Sequence, residues 1–472
     1  MFEKYIFLLF LFKISLSVIV YPFKTAYMNK NGEIDKDSKE YNATHFLNDY
    51  YNRLLYIKLE IGNPPQEIKA ILTYDDCGFK IGKANKCINE TEYYSHYNRN
   101  KSSDFNYTDL FPVHISEFED DSCSAKDTIS AYTDYSLKNY VKFKDIGFYL
   151  GSDTNDELCG VIGFKMNRYS NGTCPKINNF IRSFKSNNII NNYKWILKYN
   201  SLDEGLFIIG SNMNEIIPSY DEKNLVLIYS RYIGGTYPWS FDIDEIKVGK
   251  NRRVLSGTEM WVEIENDFSL LMGNNLYQKY IEEEFFKEFF DKNICKKIEC
   301  DPHYYHYKYY VIECDKEKFG SEQINNFPNI SFLIRSKETE ITFDSNELFT
   351  ETKYKYFFNV VFSIYGGGRW VFGKLFLKKY PVMFNLDQDT FEIYNSIYGN
   401  NDPNNENLNQ SFSTTILILI IIGLVTILCI TAFLFYYLGK KGNALRKIKA
   451  NELDDDYEYT SQKDAINNEN RS

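Results

Sequence analysis

The residues able to do chemistry gather in three places. Two are acidic: Asp75-Asp76-Cys77-Gly78, which follows Ile71-Leu72-Thr73-Tyr74, and Glu265-Asn266-Asp267, directly before Phe268-Ser269-Leu270-Leu271. Standing apart, such acids are solvated loop charges; brought face to face, two carboxylates can act as base and acid on one water. The third is Cys295, Cys300, His303, His306 and Cys314, whose spacing superficially suits zinc. In an oxidising compartment those thiols would be oxidised, so no metal and no cofactor is expected. A Ser-His-Asp arrangement is not indicated, because the chain has only 5 His and no Gly-x-Ser-x-Gly elbow accompanies them.

Positioning these groups is the task of a strand-rich body. From Asn52 the chain alternates apolar and polar residues through Leu55-Tyr56-Ile57-Lys58-Leu59-Glu60-Ile61, turns at Gly62-Asn63-Pro64-Pro65-Gln66, and alternates again to Leu72. That pattern is a hairpin or meander. Strand patterns recur at 127–150, 193–210, 224–248, 258–272, 308–314, 330–343 and 356–394. Helical spacing is confined to 177–187 and 274–292. Many strands with few helices predict an all-β body. A chain of 472 residues exceeds one ordinary core, so two domains or a bilobal body are expected. The 44% apolar and 25% charged content excludes a mainly disordered chain, and a net charge of −10 argues against nucleic acid as a partner.

The ends of the chain read as topology. Residues 1–17, apolar from Tyr5 to Phe12 and again from Ile14, resemble a secretory signal peptide cut before Val18. The run 416–438 has no charge and is long enough to cross a bilayer as one helix. Lys440, Lys441, Arg446, Lys447 and Lys449 follow it, which places 439–472 in the cytosol by the positive-inside rule. The Asn-rich segment 399–415 is a stalk. The expected protein is therefore a single-pass type I membrane protein with a lumenal or extracellular body, at the plasma membrane or in the endolysosomal system. Sequons at Asn42, Asn89, Asn100, Asn106, Asn171, Asn329 and Asn409 fall on that side. Of the 9 cysteines, Cys429 lies in the span, and the others are an even set suited to disulfides.

Ordered segments of the body resemble the pepsin-like aspartic proteases. Tyr56 to Gln66 is similar to that family's opening strand and Gly-x-Pro-x-Gln turn. Cys159-Gly160-Val161-Ile162-Gly163-Phe164 resembles its Asp-Gly-Ile-Leu-Gly-Leu segment, and Gly205-Leu206-Phe207-Ile208-Ile209-Gly210 its Gly-x-Leu-x-x-Gly strand. In the second half, Trp239-Ser240-Phe241, Ile246-Lys247-Val248-Gly249, Ser269-Leu270-Leu271-Met272-Gly273 and Phe327-Pro328-Asn329-Ile330-Ser331-Phe332 fall in the family's order. Trp370-Val371-Phe372-Gly373 and Tyr380-Pro381-Val382-Met383-Phe384 resemble the closing strands. The likeness covers about residues 50–396. It implies an all-β bilobal fold with a few short helices, an N-terminal lobe at 50–220 and a C-terminal lobe at 221–398.

The resemblance also locates a failure of chemistry. The family uses two aspartates about 3 Å apart that share one proton, each followed by Thr-Gly. Counted from Gly62, the first falls on Thr73; counted back from Ser269, the second falls on Glu265. A degenerate pair of Thr73 and Glu265, facing each other beneath a flap tyrosine at Tyr132, is the leading expectation. The protein would then bind a peptide or protein ligand in the cleft without cutting it. The alternative is an active endopeptidase with a shifted pair, Asp76 and Asp267. A third reading is an adhesive surface glycoprotein. The family likeness further implies that Cys314 is disulfide-bonded, with Cys295 or Cys300 as partner, and Cys159 is expected to pair with Cys174.

Overall fold

The computed structural model describes residues 18–27, 35–51, 53–74, 77–82, 97–108, 123–151, 160–164, 180–231, 239–249, 251–253, 260–301, 308–334, 337, 339–363 and 369–395. All of these belong to one compact unit, 1–399. The proposed signal segment, the stalk, the 416–438 run and the tail lie outside the described residues. Among those described, no helix is long and apolar enough to cross a membrane.

The body is all-β with a few short helices. Among the described residues, thirteen strands make one sheet. Its order runs from the edge Leu225–Tyr229 through Thr390–Tyr394, Val382–Asn385, Lys194–Tyr199, Glu204–Ile209, Ile19–Tyr27, Arg53–Ile61, Gln66–Thr73, Gly160–Phe164, Cys77–Gly82, Tyr140–Gly151 and Cys123–Tyr132 to Asn106–Tyr107. A second sheet, built wholly from residues beyond 239, includes Ser240–Asp242, Trp261–Ile264, Arg369–Phe372, Leu271–Asn274 and Val360–Ser363 in that order. Three strands from beyond residue 220 join the first sheet.

The alternation seen from Asn52 is realised as the sequence requires. Leu55, Ile57, Leu59 and Ile61 are fully buried on one face of Arg53–Ile61, as a two-residue period demands. They pair in register with Gln66–Thr73, Leu55 opposite Leu72 and Leu59 opposite Ile68. The turn between them needs Gly62: its φ is +94°, and an added Cβ would lie 3.1 Å from Ser102. Behind the turn, Gln66 and Asn98 exchange hydrogen bonds, and the buried Asp127 carboxylate accepts from Tyr97 at 2.6 Å and Ser102 at 2.9 Å.

Several elements were not foreseen, among them the strand Cys295–Cys300 and the helix Lys374–Lys379, which falls inside the stretch 356–394 read as strand; two bear on the core. Ile19–Tyr27 lies deep in the first sheet, between Glu204–Ile209 and Arg53–Ile61, so the sheet starts well before residue 50. A helix, Ala43–Tyr51, follows; Asn42 Oδ1 accepts from the Thr44 and His45 amides and so caps it. The apolar face of this helix, Ala43, Phe46, Leu47 and Tyr50, packs on Phe268, Leu270 and Phe357. The helical pattern expected over 274–292 is present, broken by a π-turn at Glu282–Phe286.

Candidate functional site

One arrangement of strands occurs twice. In the first half, Gln66–Thr73 and Cys77–Gly82 flank Gly160–Phe164, which runs parallel to one and antiparallel to the other. In the second, Trp261–Ile264 and Leu271–Asn274 flank Arg369–Phe372 with the same two senses. In the second half the loop between Trp261–Ile264 and Leu271–Asn274 crosses over the end of the threaded strand. Such a loop can pass only where no side chain intervenes. At Gly373 an added Cβ would lie 2.2 Å from Phe268 O and 2.5 Å from Leu270 O. The Gly373 amide donates to Leu270 O at 3.0 Å, fixing the loop to the strand beneath it.

The strand end at Leu72-Thr73 and the loop at Asn266-Asp267 meet through side chains. Thr73 Oγ1 donates to Asp267 Oδ2 at 2.6 Å. Asn266 Nδ2 donates to Leu72 O at 2.8 Å. A third link lies lower, where the buried indole Nε1 of Trp239 donates to Phe164 O at 3.1 Å. Beneath the loops is an aromatic column: Phe164, Trp195 and Phe384 stack at 4.2 Å, and Tyr74 sets its ring edge against Phe164 and Phe384. The rings come from both halves of the chain, so Phe, Tyr and Trp side chains weld the junction shut from below.

The surroundings of Asp267 are polar but mostly dry. Tyr74 is fully buried, and burial pushes its phenol well above the ordinary range, with Tyr199 and Asp267 adding to the effect. Burial does the same to Tyr199, again reinforced by Asp267. The hydroxyl of Tyr74, Asn266 Oδ1 and Ser269 Oγ are buried without a hydrogen-bond partner among the described residues. Unmet polar groups this deep are rare in a core.

A basic cluster backs the same loop. Lys374 has no exposed surface. Its amide donates to Phe268 O at 2.8 Å, and its Nζ donates to the Arg53 carbonyl. Arg53, itself buried, ion-pairs with Asp203 at 3.1 Å. Burial lowers the Lys374 amine to about 7; Asp267 and Asp203 oppose that shift, and Arg53 adds to it.

The expectations for the site are revised in part. Thr73 stands at the junction, bonded to Asp267. The acid that meets it is Asp267, two residues beyond Glu265. The Glu265 carboxylate is held by Arg369 Nη2 at 2.6 Å, and the same guanidinium reaches Glu263 at 2.6 Å. Asp75 and Asp76 lie outside the described residues. Tyr132 packs against Tyr140 and the cluster of Val20, Ile196 and Ile208, and it pairs with Val20 in the sheet. The hairpin tip beyond it is bound down: Tyr135 and Ser211 share a hydrogen bond of 2.6 Å, and Ser211 donates to Glu215 at 2.5 Å.

Among the cysteines, Cys295 and Cys314 are joined, facing each other across paired strands. Cys300 is a buried thiol near the Thr44 hydroxyl, and burial raises its pKa. Cys159, Cys174, His303 and His306 lie outside the described residues. Of the sequons, Asn100, Asn106 and Asn329 are exposed and Asn42 is half-buried, whereas Asn89, Asn171 and Asn409 lie outside the described residues.

Lys374, Arg53 and Asn266 were missed. One signal was present: Lys374 is the single charge between the apolar Trp370-Val371-Phe372 and Leu375-Phe376-Leu377. No family model matches the chain, and no curated protein matches it.

Proposed function

We propose that this chain is a pepsin-like protein that has lost the acid pair and binds a peptide or protein ligand between its two halves. The observation that carries the reading is the contact of Thr73 Oγ1 with Asp267 Oδ2. Where a proteolytic site needs two carboxylates sharing a proton, this contact joins one carboxylate to a hydroxyl that neither gains nor loses a proton near neutral pH. The duplicated threading of Gly160–Phe164 and Arg369–Phe372 supports the family assignment. Exposed sequons at Asn100, Asn106 and Asn329 and the Cys295–Cys314 disulfide support an exported body anchored by the 416–438 run.

The test is incubation of the full chain with denatured protein between pH 3 and 6, beside a peptide-library binding assay. Binding without cleavage is expected; cleavage blocked by pepstatin defeats the reading. A second reading has one observation in its favour, namely that the acid at the junction is Asp267 and belongs to the shifted pair. An active endopeptidase using Asp76 and Asp267 would lose cleavage with Asp76→Asn and keep it with Thr73→Ala.

A further inference from the structure

We propose that the strand Leu225–Tyr229 is a self-docking edge, on which a second copy of this chain pairs antiparallel about a two-fold axis at Leu227. The inference rests on the sheet edge and stands whether or not the cleft binds a ligand.

The hydrogen-bond alternation tells which backbone groups this edge presents. Leu225–Tyr229 pairs antiparallel with Thr390–Tyr394, Leu227 opposite Glu392. Just past its two ends the ladder continues: the Ser230 amide donates to Asp389 O at 3.0 Å, and the Asn395 amide to Asn224 O at 2.9 Å. Residues 224 and 230 therefore bond inward, and by alternation so do Val226 and Ile228. Leu225, Leu227 and Tyr229 turn their amides and carbonyls the other way, where no described strand pairs with them.

Sheet edges are commonly blunted by a charge, a proline or a bulge. This one carries none of them: it reads Leu-Val-Leu-Ile-Tyr in unbroken register. Its side chains are exposed as well, Leu227 by 36% and Tyr229 by 68%, while Val226 and Ile228 are buried on the opposite face.

The ends of the edge argue for the occupant. At one end the chain turns off as the short helix Glu222–Asn224; at the other the Arg231 amide is taken by Ser240 O at 2.7 Å. A strand that fits is short and apolar, and a second copy supplies one of the same length. Pairing about Leu227 sets Leu227 against Leu227 and Tyr229 against Leu225, so each outward amide meets an outward carbonyl. The same register brings the exposed Lys223 of one copy toward the Arg231–Asp242 pair of the other, in which the acid is the more exposed member.

Light scattering on the detergent-solubilised full chain tests this, with charges placed on the axis. The parent should show twice the protein mass of one chain per particle. Leu227→Lys and Leu227→Glu should each halve it, because like charges directly opposed across a strand pair are destabilising. Residue 227 faces solvent, so both variants should keep the parent's far-UV circular dichroism. Mixed in equal amounts they should recover the parent mass, since each then meets its opposite charge. Leu227→Cys gives a second readout. Cα atoms opposed in a hydrogen-bonded pair lie ~5.5 Å apart, within disulfide reach, so mild oxidation should join two chains. Lys58→Cys, exposed on Arg53–Ile61, should not be joined. A Leu227→Cys chain that stays unlinked overturns the proposal. So does a doubled mass that neither charge alters, which would put the dimer on another surface, the 416–438 run included. A mixture that remains single-chain overturns the two-fold register.

Discussion

Asn266 reaches across the junction to the carbonyl of Leu72, 2.8 Å away, and so joins the residue before Asp267 to the residue before Thr73. Two adjacent residues of one loop, Asn266 and Asp267, are therefore tied to the last two residues of Gln66–Thr73, once through an amide and once through a hydroxyl. Two such bonds, made by side chains that need no titration, hold the halves in register at any pH where Asp267 is ionised.

Removing one grip should be measurable. Thr73→Val deletes a donor to a partly buried carboxylate, and hydrogen bonds to charged groups contribute ~1.5–3 kcal/mol. Chemical denaturation should show a loss in that range. Thr25→Val, which removes an exposed bond to Asp203, should cost clearly less; equal losses would mean that the junction bond has no special weight.

Gly373→Ala should be far worse than its one added methyl group suggests. The new Cβ would sit 2.2 Å from a backbone oxygen, which no side-chain rotation relieves. Overpacking of this kind costs ~1–3 kcal/mol or more. Gly320→Ala is the comparison, because there the nearest atom is the Gln323 side-chain oxygen at 3.4 Å. A thermal scan should separate the two variants by several degrees.

Stability should rise with pH through Lys374. Its amine lies at about 7 in the fold and at 10.5 when unfolded. Between these values the unfolded chain holds a proton that the native chain has lost, so unfolding is disfavoured as pH increases. The cost of burying the charge is complete below about 7 and gone above 10.5. The parent should therefore gain on Lys374→Met from pH 7 to 9, by at most about 1.4 kcal/mol per pH unit. A flat or shrinking difference would contradict the assignment.

The thiols give a chemical prediction. Non-reducing peptide mapping should find Cys295 linked to Cys314, and Cys300 alkylated only after denaturation, since it is buried. The bridged residues are 19 apart. A Cys295→Ala/Cys314→Ala variant should lose ~3 kcal/mol by the loop-closure argument.

Much of the strand framework was legible because its alternation is strict. Leu55, Ile57, Leu59 and Ile61 admit only one face inward, and a one-residue slip would expose all four. The junction was legible as a place but not as a contact. Thr73 ends a strand whose register is fixed by Gly62, so its position could be counted. Glu265 and Asp267 are two residues apart on an irregular loop, and only the backbone path decides which carboxylate turns toward Thr73. Arg369 lies far away in sequence, and it was the pairing of Trp261–Ile264 with Arg369–Phe372 that placed it beside Glu263 and Glu265. The Ala43–Tyr51 helix was hidden for another reason: Tyr50 and Tyr51 run straight into the alternating strand, so two periods overlap there.

The strand Ile19–Tyr27 imposes an order of events on the growing chain. It pairs with Glu204–Ile209, and the same sheet is finished by Val382–Asn385 and Thr390–Tyr394. During synthesis the earliest of these strands must wait, unpaired on that side, while nearly two hundred further residues are made. An exposed strand edge in a crowded compartment is an aggregation hazard. The body should therefore depend on chaperones that hold its first strand until translation has reached the last.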